Sequence, residues 1–265
     1  MFQKHYKGFL STPTLWESNT VFNLQQFNIK QYDSKLNINI DDNLRLGKYV
    51  ERLVSFQLNQ EQNILILAEN IQIQNDKLTL GELDCLLLKN EKPIHLEIIY
   101  KFYLYDASVG NSEIHHFIGP NRKDSLIEKL DKLKNKQLPL LHSPYCQPYL
   151  KALGLKAKTI AQQVYFKAQL FIPFNKTIIL KTLNNDCIVG YYISKLDLKN
   201  LTDCRFYIPK KKDWLTQPNT NVNWINFDSF EALAEKYFTE KFSTMFWMKQ
   251  PNGEIKKMFL VWWTS

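Results

Sequence analysis

The chain has 265 residues, 45% hydrophobic and 14% aromatic, with a formal net charge of +8. That hydrophobic content supplies a sizeable core and excludes wholesale disorder, while a total of 8 glycines argues against a solenoid of tight turns. A pI near 9.1 turns the search for partners toward polyanions such as nucleic acid.

The first forty residues are rich in Asn and Gln, and Phe9, Leu10, Leu15 and Trp16 mark a packed segment without a clear period. The opening MFQKHYKGFLSTPTLWES lacks the continuous apolar stretch of a secretory signal, and no run approaches the roughly 18 apolar residues of a membrane span. A cytoplasmic protein without a membrane role is expected. Leu46, Tyr49, Val50, Leu53, Val54 and Leu58 recur at helical spacing after Asp41 and Asp42, either of which can cap a helix. The spacing predicts a helix over 43–59, with Glu51 at the edge of its apolar stripe. ILILAENIQIQ (64–74), LTLGELDCLLL (78–88) and PIHLEIIYKFYLY (93–105) read as strands, the last two joined as a hairpin by a loop of about four residues. A polar loop with His115 and His116 follows. The leucine spacing after Asn121 then predicts a helix over 122–137 that Pro139 ends. SPYCQPYLKALG is a short helix stopped at Gly154. From about 158 the pattern turns to strands, one helix over FDSFEALAEKYF, and a terminal hairpin with Asn252-Gly253 at its tip. This suggests a core over 1–157 and a β-rich half over 158–265 packed on it. Cys85, Cys146, Cys187 and Cys204 are scattered without a CxxC pair, which predicts four free, mostly buried thiols in a reducing compartment.

The charges of the hairpin need an explanation. Alternation puts Glu82 and Asp84 on one face of the first strand and His95, Glu97 and Lys101 on one face of the second. With 89–92 as the loop, Leu88 pairs with Pro93 and Asp84 lies opposite Glu97. Facing Cβ atoms in such a pair are about 4.5–5.5 Å apart, so two carboxylates repel unless a cation joins them. Hard oxygens at that spacing suit Mg²⁺ or Mn²⁺, and Lys101, further along the same face, can orient a water and offset developing charge.

These segments resemble the PD-(D/E)XK nuclease superfamily, in which a helix Glu, a strand Asp and a Glu-x-Lys surround a metal. More narrowly, LGKYVERLVSFQL (46–58), LGELDCLL (80–87), HLEIIYKFYL (95–104) and GPNRKDSLIEKLDKLKNKQLPL (119–140) resemble the bacterial family catalogued as domain of unknown function 1853, assigned to that superfamily. CRFYIPKKKDWL (204–215) and the aromatic terminal strand fit more loosely. The resemblance implies an α/β (α+β) fold with a restriction-endonuclease-like core: a mixed β-sheet flanked by helices, with the β-rich half following. It implies Asp84, Glu97 and Glu51 as ligands of Mg²⁺ or Mn²⁺, and Lys101 as the catalytic lysine. Gln137 matches a polar position near the site, and Asn121, Asp124 and Lys129 fall in the helix motif; Glu82 and His95 are candidates either to support the ligands or to serve the structure. The sequence departs from the superfamily pattern at position 99, which is Ile; its lysine comes at 101, roughly 6–7 Å further along the strand than Glu97 plus two residues would give.

The function expected is metal-dependent phosphodiester hydrolysis in DNA or RNA, with Lys129, Lys132 and Lys136 on the nucleic-acid backbone. A nuclease-like module that binds nucleic acid or protein without turnover is the alternative, supported by the displaced lysine. A glycosidase-type acid and base pair fits the lysine and the basic charge less well. His95 reads as a proton shuttle or a hydrogen-bonded structural histidine, and Lys210–Lys212 before Trp214 as a basic patch with an aromatic or a solvated loop. Trp262 and Trp263 read as packing residues. A protein partner or a second copy of the chain stays open.

Overall fold

A computed structural model describes residues 2–17 and 20–263. The described elements, in chain order, open with α1 (Phe2–Ser11), α2 (Leu46–Leu58), β1 (Ile64–Asn75), β2 (Leu78–Lys89), β3 (Lys92–Tyr105) and β4 (Phe117–Ile118). Then come α3 (Leu126–Lys132), α4 (Gln147–Ala152), β5 (Ala161–Pro173), β6 (Ile188–Ile193), α5 (Lys195–Leu198) and β7 (Arg205–Tyr207). The chain ends with α6 (Phe227–Thr239), β8 (Thr244–Lys249) and β9 (Ile255–Leu260). The fold is mixed α+β. No helix among the described residues is long and apolar enough to cross a membrane.

The chain divides into two compact units, each assembled from separated stretches. The first comprises Thr14–Tyr100 and Glu128–Lys167; the second comprises the residues up to Pro13, Lys101–Ile127 and those from Ala168 onward.

In the first unit β1, β2 and β3 form an antiparallel meander. Leu88 pairs with Pro93 and Cys85 with Leu96, the register that sets Asp84 opposite Glu97. The connection is tighter than the four-residue loop the sequence suggests. Lys89 pairs with Lys92, leaving a two-residue turn at Asn90 and Glu91. Both have positive φ, 49° and 64°, the turn geometry whose twist matches the strands it joins. Ile71, Ile73, Leu83 and Leu86 pack against Leu141, Cys146, Leu150 and Ile160. Helix α2 starts at Leu46, not 43. Its preceding residue, Arg45, makes no side-chain cap, since a guanidinium has no acceptor to offer, and Asp41 accepts the Asn43 N–H in a local turn instead.

The helix expected over 122–137 begins four residues later, at Leu126, because 121–124 form a turn in which Arg122 has positive φ. Its end is also different. After Lys132 the backbone widens into a π-helical turn over Leu133–Gln137 and then tightens into a 3₁₀ turn over Leu138–His142. Pro139 sits near the start of that turn and does not stop the chain winding. The reason is positional: proline lacks an N–H that the first turn of a helix does not use.

The second unit holds a mixed sheet. β6 runs parallel to β5 and to β9, β9 is antiparallel to β8, and β8 is antiparallel to β7. Gly190 in β6 is obligatory on packing grounds, since a Cβ there would lie 2.1 Å from the Lys257 carbonyl oxygen. Phe206 stacks on Phe230 at 4.2 Å, and Phe246 closes the group. Helix α1, for which the sequence shows no clear period, buries His5, Tyr6, Phe9 and Leu10. His5 Nε2 meets Asp213 at 2.8 Å, and Gly8 lets the helix approach the Leu215 carbonyl. All four cysteines are buried, and none forms a disulfide.

Candidate functional site

Two elements of the first unit converge on one group of acids. Glu51 comes from the second turn of α2, and Glu82 and Asp84 alternate along β2. One carboxylate oxygen from each lies within 4.8 Å of the others. Lys48, one turn before Glu51, donates to Glu51 at 2.8 Å, to Asn70 at 2.6 Å and to Glu82. Burial alone lowers the Lys48 pKa, but the bonds and charges of Glu51 and Glu82 outweigh it and hold the ammonium above its ordinary range. Burial pushes the Glu51 carboxyl up, with Lys48 offsetting part of that and Glu82 and Glu97 adding to it.

Asp84 is the most perturbed acid of the group. Its carboxyl is pushed up to about 7, first by burial and then by the neighbouring charge of Glu97. Its Oδ2 accepts the Ile98 N–H at 2.8 Å, where the backbone ladder of β2 and β3 gives out after Cys85 and Leu96. The side chain therefore takes over a sheet hydrogen bond and is fixed by it.

Glu97 is fully buried, as is His95 two residues before it. The alternation argument presumed one open face, whereas residues 94–97 of β3 are all buried. The Glu97 oxygens are both engaged: Oε1 with His95 Nε2 at 3.0 Å, and Oε2 with Gln137 Nε2 at 2.6 Å. Gln137 Oε1 in turn accepts from Lys129 Nζ at 2.8 Å. Gln162 Nε2 donates to the Leu138 carbonyl at 2.6 Å and meets His95 Nδ1 at 3.0 Å. A carbonyl neighbour fixes that atom as the amide nitrogen, so Nδ1 accepts and Nε2–H donates to Glu97. Lys129, Gln137, Glu97, His95 and Gln162 thus form one continuous chain of hydrogen bonds. His95 is in this way a hydrogen-bonded core residue.

The structure brings Glu51, Glu82 and Asp84 together and surrounds Glu97 with donors. Lys101 lies in the second unit, where its amine pairs with Asp124 at 2.6 Å. Lys132 and Lys136 are exposed on the helical segment that carries Lys129. His115 meets Ser112 at 2.7 Å and His116 the Val109 carbonyl at 2.8 Å, both local turn contacts. Asn121 accepts the Ser243 N–H. Trp214 is 3% exposed beneath Lys211, which leaves it no face for a base. Trp263 is buried with its N–H on the Pro120 carbonyl. Two residues of the site escaped the sequence reading. Lys48 carried a usable signal, its i, i+3 spacing to Glu51; Gln162, at the start of β5, carried none.

A family model described as Domain of unknown function (DUF1853) matches residues 5–261. The chain belongs to this family. No curated protein matches it, and no solved structure does. The match spans both units of this DUF1853 chain, including every acid and lysine of the site above.

Proposed function

We propose that this DUF1853 chain is a metal-dependent phosphodiesterase of the PD-(D/E)XK nuclease type, acting on DNA or RNA. The observation that carries the reading is the group of Glu51, Glu82 and Asp84, with oxygens within 4.8 Å, contributed by a helix and a neighbouring strand. Three hard carboxylate oxygens are the donor set that Mg²⁺ and Mn²⁺ take. Burial first, and then the charge of Glu97, raise the Asp84 carboxyl, and a cation beside it would offset both. Glu51, Glu82 and Asp84 would hold the ion. A bound divalent cation would supply an activated water and charge for a phosphoryl oxygen. Glu97 adds a fourth carboxylate beside Asp84, fixed by His95 and Gln137 so that its charge does not swing away. Lys48 balances Glu51 and Glu82 on a stem that is 43% exposed, so it has room to yield to a stronger cation. The basic balance of the chain favours a polyanionic substrate.

Titrating Mn²⁺ into the wild type and into Asp84→Ala tests this reading. Carboxylate-dependent binding, followed by Mn²⁺-dependent cleavage of linear duplex, single-stranded DNA or RNA, is expected; absence of any carboxylate-dependent metal binding sinks it. The second reading is a nucleic-acid-binding or protein-interaction module without turnover. It is favoured by the 2.6 Å ion pair that holds Lys101 to Asp124. Salt-sensitive retention of a substrate without cleavage would support it.

A further inference from the structure

Residues 132–185 contain nine lysines and no Asp or Glu, a formal charge of +9 against +8 for the whole chain. The excess positive charge of the protein therefore resides in this one stretch, and the remainder is close to neutral. Within it the first unit bears a groove of about 1060 Å³. Pro144 and Pro148 line it beside His142, Lys151, Lys156 and Lys158, with no acidic residue in the lining. Next to it on the same winding segment, Tyr145 and Tyr149 are 42% and 41% exposed. Four residues apart, they lie one turn from each other along one side of the segment. The adjoining side is anchored: Cys146 and Leu150 are buried in the core with Ile71, Ile73 and Leu83.

We propose that this groove binds a single-stranded polynucleotide, with the phosphates on Lys151, Lys156 and Lys158 and successive bases stacked on Tyr145 and Tyr149. Basic grooves flanked by exposed aromatic faces suit single strands, because a duplex keeps its base faces stacked inside. Concentrated positive charge without interspersed acids complements a phosphate backbone and does not compete with it. The surface is built from residues other than the acid group, and it extends the nuclease reading by naming the form of the nucleic acid: a strand at least partly unpaired. It rests on that reading only for its role in a reaction. Binding itself is independent of it.

The test is fluorescence anisotropy in EDTA, so that hydrolysis at the acid group does not enter. The probes are labelled oligothymidylate and oligouridylate of about 16 nucleotides, a length that spans one such site. The wild type binds them with a salt-sensitive affinity and binds a duplex of equal length more weakly. Replacing Lys151, Lys156 and Lys158 by Ala lowers the salt slope by about 2, the contribution of three single-strand phosphate contacts. The Tyr145→Ala, Tyr149→Ala double variant weakens binding by about 30-fold or more while keeping the salt slope. These are surface side chains, and an unchanged circular dichroism melt verifies that each variant folds. Full affinity in the lysine variant, equal binding of duplex or of polyglutamate, or no binding by the wild type overturns the proposal. The Mn²⁺ titration of Asp84→Ala reads the acid group alone, so the failure of either idea is seen separately.

Discussion

Lys48 and Glu51 face each other across one turn of α2 at 2.8 Å, and the same ammonium also serves Glu82 and Asn70. A single lysine is therefore shared between two of the three acids that converge on one point. Lys48→Met removes that cation and leaves the carboxylates facing one another. The expected loss is about 1 kcal/mol, because the lysine is well exposed. Differential scanning fluorimetry should show the melting temperature fall in EDTA and recover with Mn²⁺. Recovery is the informative half, since a lysine with a purely local role would not respond to the metal.

Asp84→Asn has the opposite signature. The wild-type carboxylate is an anion under burial, with Glu97 and Glu51 adding repulsion. The amide keeps an acceptor for the Ile98 N–H and removes the charge. At pH 8 in EDTA the variant should be at least as stable as the wild type in urea unfolding. Its Mn²⁺ affinity should fall by more than about 100-fold, the upper end of what losing a mere supporting partner does. A variant that is both destabilised and unaltered in metal binding would contradict the assignment.

Gln137→Leu should be costly for a different reason. It strips a donor from a fully buried carboxylate and an acceptor from Lys129. Leaving such groups unsatisfied costs about 1–3 kcal/mol each. Chemical denaturation should report a loss in that range, and Gln137→Glu, which places a second acid against Glu97, should lose more.

Lys101→Ala tests whether that lysine takes part in the chemistry. Its pair with Asp124 is partly exposed, 37% and 44% at the two side chains, so its loss should cost less than about 1 kcal/mol. If the lysine serves catalysis, cleavage should fall by about 100-fold or more with stability nearly unchanged. Cleavage at the wild-type rate would remove Lys101 from the chemistry.

Lys257 adds to the pH response of the second unit, where burial also lowers Lys211 to about 8. It is 3% exposed and donates to Gln169 Oε1 and to the Trp214 and Thr216 carbonyls at 2.7, 2.7 and 2.9 Å, and burial pulls its pKa down from 10.5 to about 7. The folded chain then holds fewer protons than the unfolded chain between those two values. By linkage, stability rises with pH through that window and is flat below it. Urea titrations at pH 7, 8.5 and 10 should show the rise in the wild type. Lys257→Met should lack this component and be weaker by about 1–3 kcal/mol at pH 10, where its three oxygen partners are left unmet.

The parts of the fold that could be read in the sequence are those with one dominant period. Helix α2 and strands β1 to β3 fall within a few residues of where leucine and isoleucine spacing puts them. The register that sets Asp84 opposite Glu97 follows from the same pattern. What could not be read depends on contacts between distant residues. The hydrogen bonds around buried Glu97 and His95 come from Gln137, 40 positions from Glu97, and Gln162, 67 positions from His95. Helix α1 carries an apolar stripe in Tyr6, Phe9 and Leu10, at i, i+3 and i+4, but three residues among polar neighbours are too short a run to stand out. The tight turn at 90–91 was hidden because Glu91 gives no warning of a positive φ.

The π-helical turn at Leu133–Gln137 has a consequence for how this site can vary. There the Leu138 N–H reaches back to the Leu133 carbonyl, five residues away, where an α-helix would use four. Such a turn carries one residue more than regular winding needs, and each residue of an α-helix advances the chain by about 100°. Deleting Asn135, which is exposed, would let the segment close into an ordinary helix. It would also swing Gln137 away from Glu97 by about that angle. A local repair of the backbone would thus unlatch the buried acid, and the segment is caught between being a good helix and being a good clamp.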